Sequence, residues 1–546
     1  MRFFSPACVA FLLSILCLGE RVMAQPANAP VSAQINVQSD DLLSHPVGAN
    51  WTSYNGDYTG RRYSSLHQIN TDNVSRLGAA WVFHPGNSQN LEVTPVVVRG
   101  VMYITSANHV FALDARTGRT LWHYSRPVST GLLDDAAAHK SRGVAVWHDF
   151  VYSETDDAHL LCLDARSGGL RWDVEFADKR KHYGATSAPL VVKDSILVGT
   201  SGGDSGVRGF LAAYDAATGN LKWRFWTIPG PGEFGSSSWP GDSYLHGGAT
   251  TWLPGTYDPQ LNLLYWTTSN AAPDFLGDSR PGDDLYTSCV IALDADTGKL
   301  KWYFQFTPHD LYDYDATETA VLIDTEENGA ARHLLVQADR NGFFYVLDRT
   351  NGKFLRAVPF VQKLNWAKSI DASGRPVLTD RIPSMTGTYI CPGVTGATNW
   401  FSPSYNPETK LFYVMALEAC DEYFAAPRRF TPGETFYNTG TKHPQNEHWQ
   451  KNLLALSVPD GKQVWRYPQV GNGNSWGGTL TTAGGLVFFG DDAESFEAVE
   501  AKTGRPLWHF NTGQKFVASP MTYAVDGVQY VAIAAQSDIF AFVLPN

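Results

Sequence analysis

One eleven-residue phrase, A-x-D-x-x-T-G-x-x-x-W, returns along the chain and constrains its fold more than any other feature. It reads ALDARTGRTLW at 112–122, CLDARSGGLRW at 162–172 and AYDAATGNLKW at 213–223. It returns as ALDADTGKLKW at 292–302, ALSVPDGKQVW at 455–465 and AVEAKTGRPLW at 498–508. A degenerate copy, VLDRTNGKFLR at 346–356, carries Arg356 in place of the Trp, and an isolated Trp81 in RLGAAWVFH ends one more unit. About eight units result, spaced by roughly 40–50 residues apart from two longer gaps, and such a period belongs to propeller blades or solenoid turns. The D-x-x-T-G core is turn chemistry between two strands, with a Gly able to take positive φ. The flanks, as in VMYITSANHVFALD, are rich in strand formers. A Trp at a fixed offset gives each small sheet an apolar plate to bury against the next. The pattern predicts an all-β chain folded as an eight-bladed β-propeller with tryptophan-docking motifs, with a β-helix or a pair of sandwiches as the alternative.

The 546 residues are 13% aromatic and only 18% charged, with 49 Gly, which suits a strand-and-turn protein with a large core. The net charge of −12 argues against a nucleic-acid partner. Residues 1–24 read as a secretory signal: Arg2 supplies the positive start, ACVAFLLSILCLG the apolar stretch, and Val22-Met23-Ala24 the cleavage site. The apolar stretch is too short to span a bilayer, and no other run approaches that length. These features predict a periplasmic protein with no membrane span, a retained N-terminal anchor being the alternative. Residues 25–45, rich in Pro, Ala, Gln and Ser, read as a flexible leader to the domain at 46–546. Cys162 and Cys289 sit in strand-like runs and read as buried thiols. Cys391 and Cys420 lie in loop-like stretches and could pair in an oxidising compartment. No C-x-x-C-H haem-attachment motif occurs.

The sharpest local signal is TPHDLYDYD at 307–315, which packs Asp310, Asp313 and Asp315 among aromatics. In an extended stretch, residues 313 and 315 point the same way. Two carboxylates on one side need a cation or a proton between them. Taken alone, the segment reads more readily as a solvated acidic loop than as a site. SGGDSGVRGF at 201–210 reads as ordinary turn chemistry around Asp204, and Asn270 in TTSNAAPDF as a residue satisfying backbone groups.

The blade phrase, together with these segments, the opening WTSYNGDYTGRRYSSLHQIN and the closing GTLTTAGGLVFFGDDAESFEAVEAKTGRPLWHF, resembles the pyrroloquinoline quinone (PQQ) dependent alcohol dehydrogenases of the methanol/ethanol type. The likeness runs from Trp51 to the C-terminus and implies a quinoprotein alcohol dehydrogenase-like propeller that binds PQQ and one metal ion. By that resemblance Asp313 is the catalytic base beside the metal, and Asp315 is the extra acid found in lanthanide-using members. Asp204 and Asn270 then complete a metal shell of Asp204, Asn270, Asp313 and Asp315, all oxygen donors suited to a hard cation. Trp252 corresponds to the floor under the quinone. Arg142, Thr186, Ser201, Gly202, Gly203 and Thr250 correspond to contacts of its carboxylates, and Glu92, Asn399 and Trp476 to edge contacts. Arg340 is the cation facing the reacting oxygens, and Cys391–Cys420 a family disulfide. Two departures stand out: Ala136 and Ala137 occupy the positions of an adjacent Cys-Cys pair, and Asp204 stands where Glu is usual. The expected reaction is hydride transfer from an alcohol to PQQ, with a lanthanide such as lanthanum or cerium favoured over calcium because three aspartates converge. A soluble cytochrome c is the expected electron acceptor, and the expected state is a monomer or homodimer. Asp274-Phe275, where methanol-specific members tend to carry a Trp, leans toward alcohols larger than methanol. The alternatives are a non-catalytic propeller scaffold of the outer-membrane assembly type, or a PQQ dehydrogenase for sugars or polyols.

Overall fold

Each copy of the repeated phrase builds the same local structure. In the copies that carry it, the Asp accepts hydrogen bonds from the turn that follows; Ser457 and Glu500 take its place at 455–465 and 498–508. Asp164 Oδ1 takes the Ser167 amide (3.0 Å) and hydroxyl (2.9 Å), and Asp215 and Asp294 do the same for Thr218 and Thr297. These contacts close a tight turn between antiparallel strands. A one-residue register shift follows, between Ala112 and Leu113 in the first copy and at matching places in the others. Such a bulge bends the outer strand and re-aims its side chains, here the terminal Trp.

The computed structural model describes residues 34–86, 90–133, 137–327, 329–437, 439–471 and 474–545. The expected signal at 1–24 and the first part of the leader lie outside them. The fold is all-β. Four-stranded antiparallel sheets follow one another within 96–125, 145–175, 190–226, 256–305, 321–359 and 404–468. In the next sheet, four strands within 479–511 gain a parallel edge strand, Tyr63–Ser64. The last sheet joins three strands within 521–543 to Gly78–Phe83, which pairs antiparallel with Asp538–Val543.

Neighbouring sheets are joined by the Trp of one phrase and the Gly of the next. Trp122 donates its indole N–H to the carbonyl of Ala165 (2.9 Å), and its ring covers Gly168. A Cβ on Gly168 would fall 2.6 Å from that ring, so the position needs Gly for space as well as for its φ of +71°. The same N–H to carbonyl bond runs from Trp81 to Ala115, Trp223 to Ala295, Trp465 to Ala501 and Trp508 to Leu77. Tyrosines donate to these carbonyls too: Tyr103 to Ala165, Tyr413 to Ala501 and Tyr523 to Ala115. Where Trp172 leaves its N–H unpaired, Tyr152 donates to the carbonyl of Ala216. Arg356, in the degenerate copy, replaces the ring with ion pairs to Asp460 (2.8 Å) and Glu327 (2.9 Å).

Between the sheets ending at 359 and 468 the chain inserts a hairpin, Ala367–Ile370 with Pro376–Leu378, and a small three-stranded sheet within 388–442. The disulfide Cys391–Cys420 ties this insertion together, and Cys162 and Cys289 are buried free thiols. The expectation of a loose leader up to residue 45 is corrected from residue 34 onward. Ile35 and Val37 are fully buried, and Asp149 accepts the amides of Ile35 and Asn36, both at 3.1 Å. Val37 exchanges two backbone hydrogen bonds with His148. Two apolar side chains and a carboxylate that caps two amides are enough to hold this short stretch against the body. No helix among the described residues is long and apolar enough to cross a membrane.

Two stability outcomes follow. Gly168→Ala and Gly527→Ala both force a side chain to positive φ, but only Gly168 faces a ring, whereas a Cβ at Gly527 meets nothing within 4 Å. Gly527→Ala should cost about 1–2 kcal/mol. Gly168→Ala should cost about 1–3 kcal/mol more, from overpacking against Trp122. The urea unfolding midpoints of the two variants measure the difference. Cys420→Ser opens a bridge spanning 29 residues, and chain entropy predicts a loss of about 3–4 kcal/mol, read by the same unfolding curve.

Candidate functional site

The acidic segment is shaped by its first aspartate. Asp310 is fully buried and its carboxylate accepts the amides of Tyr312 (3.0 Å) and Tyr314 (2.9 Å). This winds the chain into a turn in which Asp313 takes φ +61°, a conformation a non-glycine residue holds only under constraint. The capped turn, in place of the expected strand alternation, aims Asp313 and Asp315 into one cavity. Burial raises Asp310 to about 6, opposed by its two amide bonds and by Arg280.

The cavity encloses about 270 Å³. All fifteen residues singled out in the sequence border it: Asp204, Asn270, Asp313 and Asp315, with Arg340, Trp252, Arg142, Glu92, Thr186, Ser201, Gly202, Gly203, Thr250, Asn399 and Trp476. Arg340 is the hub of its charge. The guanidinium donates to Asp315 Oδ2 at 2.8 Å, lies 3.7 Å from Asp313 Oδ2, and donates to the carbonyl of Val394 at 2.7 Å. Burial pushes Asp313 well above the usual carboxylate range. Arg340 opposes that shift, and Asp204 and Asp315 add to it. Asp315 is also raised by burial, against the pull of Arg340, the Asn270 amide and Trp252. Burial works to lower Arg340, but Asp313, Asp315 and Glu318 outweigh it and hold the guanidinium protonated.

Asn270 is oriented from below. Its backbone N–H donates to Asp315 Oδ1 (2.7 Å) and its side-chain N–H to Asp274 Oδ1 (3.2 Å), which leaves the amide oxygen for the cavity. Asp274 and Phe275, read as hints of a pocket wall, do not line it. Asp274 lies fully buried beneath Asn270, and Phe275 packs on Tyr423 and Tyr437. Asp204 sits in the short turn Gly203–Ser205, and its carboxylate accepts the Tyr437 hydroxyl at 2.9 Å. Among the described residues, no three His, Cys, Asp or Glu side chains converge into a group that would hold an ion unaided. The expected four-residue shell is therefore drawn out: Asp204 is engaged by Tyr437, and Asp315 by Arg340 and the Asn270 amide. Mutual repulsion of three carboxylates favours this separation onto donors. A cation here would need further ligands from a bound partner.

The opposite wall is aromatic and basic. The Arg142 guanidinium lies 4.8 Å from the ring of Trp252 and 4.6 Å from that of Trp400, and it pairs with Glu92 at 2.6 Å. Lys140 reaches the other oxygen of Glu92 at 3.2 Å. Arg142 also donates to the carbonyl of Thr186 (3.0 Å), and the Thr250 hydroxyl meets Ser269 at 2.9 Å. Gly202 takes φ +99°, and a Cβ there would fall 2.5 Å from the carbonyl of His182. Asn399 donates to Thr395, and Trp476 to Asn474. Lys140, Ser269, Trp400 and Tyr437 border the cavity without having been singled out. Only Trp400 carried a visible signal, as the neighbour of Asn399. Of the two Ala that replace the Cys-Cys pair, Ala136 lies outside the described residues.

Three buried donors on cavity residues, Ser201 Oγ, Arg142 Nε and Arg340 Nε, have no hydrogen-bond partner within the protein. Leaving buried donors unmade costs about 1–3 kcal/mol each. A flat group carrying several acceptors, stacked on Trp252, would relieve that cost, so the residues present fit a planar polycarboxylate quinone. The carboxylates and the Asn270 oxygen on the same cavity fit a hard cation ligated jointly with it.

The family model described as "PQQ: Glucose/ethanol/alcohol dehydrogenase, beta-propeller domain" matches residues 51–362 and 468–531. The quinoprotein alcohol dehydrogenase PedH of Pseudomonas putida KT2440 is 36% identical, over 97% of this chain and 92% of its own length. The quinohemoprotein alcohol dehydrogenase ADH IIB of Pseudomonas putida is 40% identical, over 96% of this chain and 77% of its own. The structure of a europium-containing methanol dehydrogenase superposes with a TM-score of 0.85 at 32% identity, covering 92% of this chain and 99% of that one. With a matching family model over most of its sheets and relatives aligned along nearly its whole length, the chain belongs to the PQQ-dependent alcohol dehydrogenase family.

Proposed function

We propose that this chain is a periplasmic PQQ-dependent dehydrogenase that oxidises alcohols to aldehydes and passes the electrons to a separate cytochrome c. The observation that carries this reading is the convergence, in one cavity, of a strained, largely buried aspartate, an arginine beside it, an indole plate and unpaired donors. The relatives' names support the alcohol as substrate class. The sheets form an eight-bladed ring in this reading, and residues 1–24 direct export. The 546 residues carry no C-x-x-C-H motif, which is why the acceptor is placed on another protein, and the enzyme acts as a monomer or homodimer.

PQQ, when bound with its metal ion, supplies a two-electron hydride acceptor whose reacting carbonyl is polarised by a Lewis acid. The protein's own contribution is position and charge. Trp252 and Trp400 bound the flat space, and Arg142, Ser201 and Thr250 offer donors to carboxylates. Asp313 Oδ2 takes the hydroxyl proton of the alcohol. Burial makes Asp313 reluctant to ionise, so it depends on positive charge nearby, part of which Arg340 provides at 3.7 Å. Arg340, beside Asp313, would offset the negative charge that hydride transfer places on the oxygen of the acceptor. Asp204, Asn270, Asp313 and Asp315 would hold the cation. The acidity of this set and the likeness to a europium-containing enzyme favour a lanthanide over calcium.

Asp313→Asn should abolish alcohol-dependent dye reduction by the PQQ-loaded protein, by about 10²-fold or more, without lowering the unfolding midpoint. Turnover near that of the wild type would remove Asp313 from the proton-transfer role. Asp315→Ala should depress lanthanum-supported activity far more than calcium-supported activity when metal-free, PQQ-loaded enzyme is titrated with each ion. Full wild-type activity with calcium and none with lanthanum would reject the lanthanide assignment.

A further inference from the structure

A second, larger cavity of about 680 Å³ borders the turn that carries Asp204: Asp204 lines the first cavity and Gly206 the second. Its walls are aromatic and its charge is basic. Arg224 lies over the ring of Phe210 (4.1 Å) and beside that of Trp226 (5.4 Å). It donates to the carbonyl of Phe176 and the hydroxyl of Tyr214, and its buried Nε has no partner. Among the described residues no carboxylate pairs with Arg224. Arg208 lies over Trp226 (4.5 Å) and Tyr244 (5.0 Å) and donates twice to the carbonyl of Ile228. Its nearest carboxylate, Glu233, is 3.9 Å away and largely in solvent. Burial lowers the pKa of Arg208, the mark of a cation whose lost hydration is not made good.

Of the two acids bordering the cavity, Asp178 is committed to Arg180 through two 2.9 Å bonds, and Glu175 is exposed at the mouth. Lys181 adds a further exposed positive charge. In a chain of net charge −12, two arginines held against aromatic rings without a close counterion form a local excess of positive charge. Phe430, stacked on His246, completes an apolar wall. A cavity of this size takes a small molecule. What complements it is a flat apolar body to lie along the rings and one carboxylate to neutralise the guanidiniums.

We propose that this cavity binds a small aromatic carboxylate, with its ring between Trp226 and Phe430 and its carboxylate toward Arg208 and Arg224. The site lies outside the dehydrogenase cavity and does not rest on the proposed reaction. The test is titration of 2-naphthoate into the PQQ-loaded full-length protein, followed by calorimetry. The expected result is one saturable site, with a Kd at least tenfold lower than for acetate or inorganic phosphate. Arg224→Gln and Phe430→Ala should each weaken it by at least tenfold, and Asp313→Asn should leave it unchanged. Phe430 is a partly exposed loop residue, so its variant keeps the test informative if replacing an arginine disturbs folding. No saturable binding, equal affinity for acetate, undiminished binding in both wall variants, or loss of binding in Asp313→Asn would each overturn the proposal.

Discussion

A tryptophan of one sheet lying on the glycine of the next sets the geometry on which the rest of this molecule depends. The contact combines three requirements in a few residues. The turn is closed by its aspartate, the glycine must have no side chain, and in most joints the indole N–H finds a carbonyl on the neighbouring sheet. The cavity residues come from connections at different sheets: Asp204, Asn270, Asp313, Arg340 and Trp476 all belong to separate stretches of chain. Their separations are therefore fixed by the angle between sheets. Where the docking pair is altered, the fold substitutes other contacts, a tyrosine hydroxyl from Tyr152 or the ion pairs of Arg356. A half-exposed ion pair is worth little beside a buried indole, and at this joint Val358 and Phe344 cover Gly461 in the place of the missing ring.

Charge at the site is balanced as carefully as packing. Buried carboxylates outnumber the arginines around them, and Arg340 is shared among Asp313, Asp315 and the carbonyl of Val394. Val394 follows the disulfide-linked Cys391, and its amide donates to Asp421 Oδ2 at 2.9 Å, one residue beyond Cys420. The insertion that looks like decoration on the fold thus braces the cation that Asp313 and Asp315 share.

The sequence made the sheets legible because the docking phrase repeats, and repetition reveals what single residues do not. The glycine's second duty, as a seat for the neighbouring Trp, was hidden because its partner lies a whole unit away. In the site, residues that line the cavity were legible through resemblance. Those that hold them were not: Asp310 capping the turn, Asp274 orienting Asn270, Lys140 on Glu92 and Tyr437 on Asp204. Each acts across the fold, at sequence separations no local pattern records. The reading of 313 and 315 as strand neighbours reached the right face by the wrong geometry. The leader's composition concealed that Ile35 and Val37 alternate into the core.

The pairing of Gly78–Phe83 with Asp538–Val543 has a consequence for order in time. A strand near the start of the chain has no partner until the last strand has been made, and Leu77, just before it, accepts the indole N–H of Trp508. Loop closure over such a separation is slow. The early sheets can form locally while the seam stays open, and an unclosed edge is a template for unwanted pairing. Because Arg142 and Trp476 reach the cavity from opposite sides of that seam, the outline of the pocket is set in part by the last joint to close.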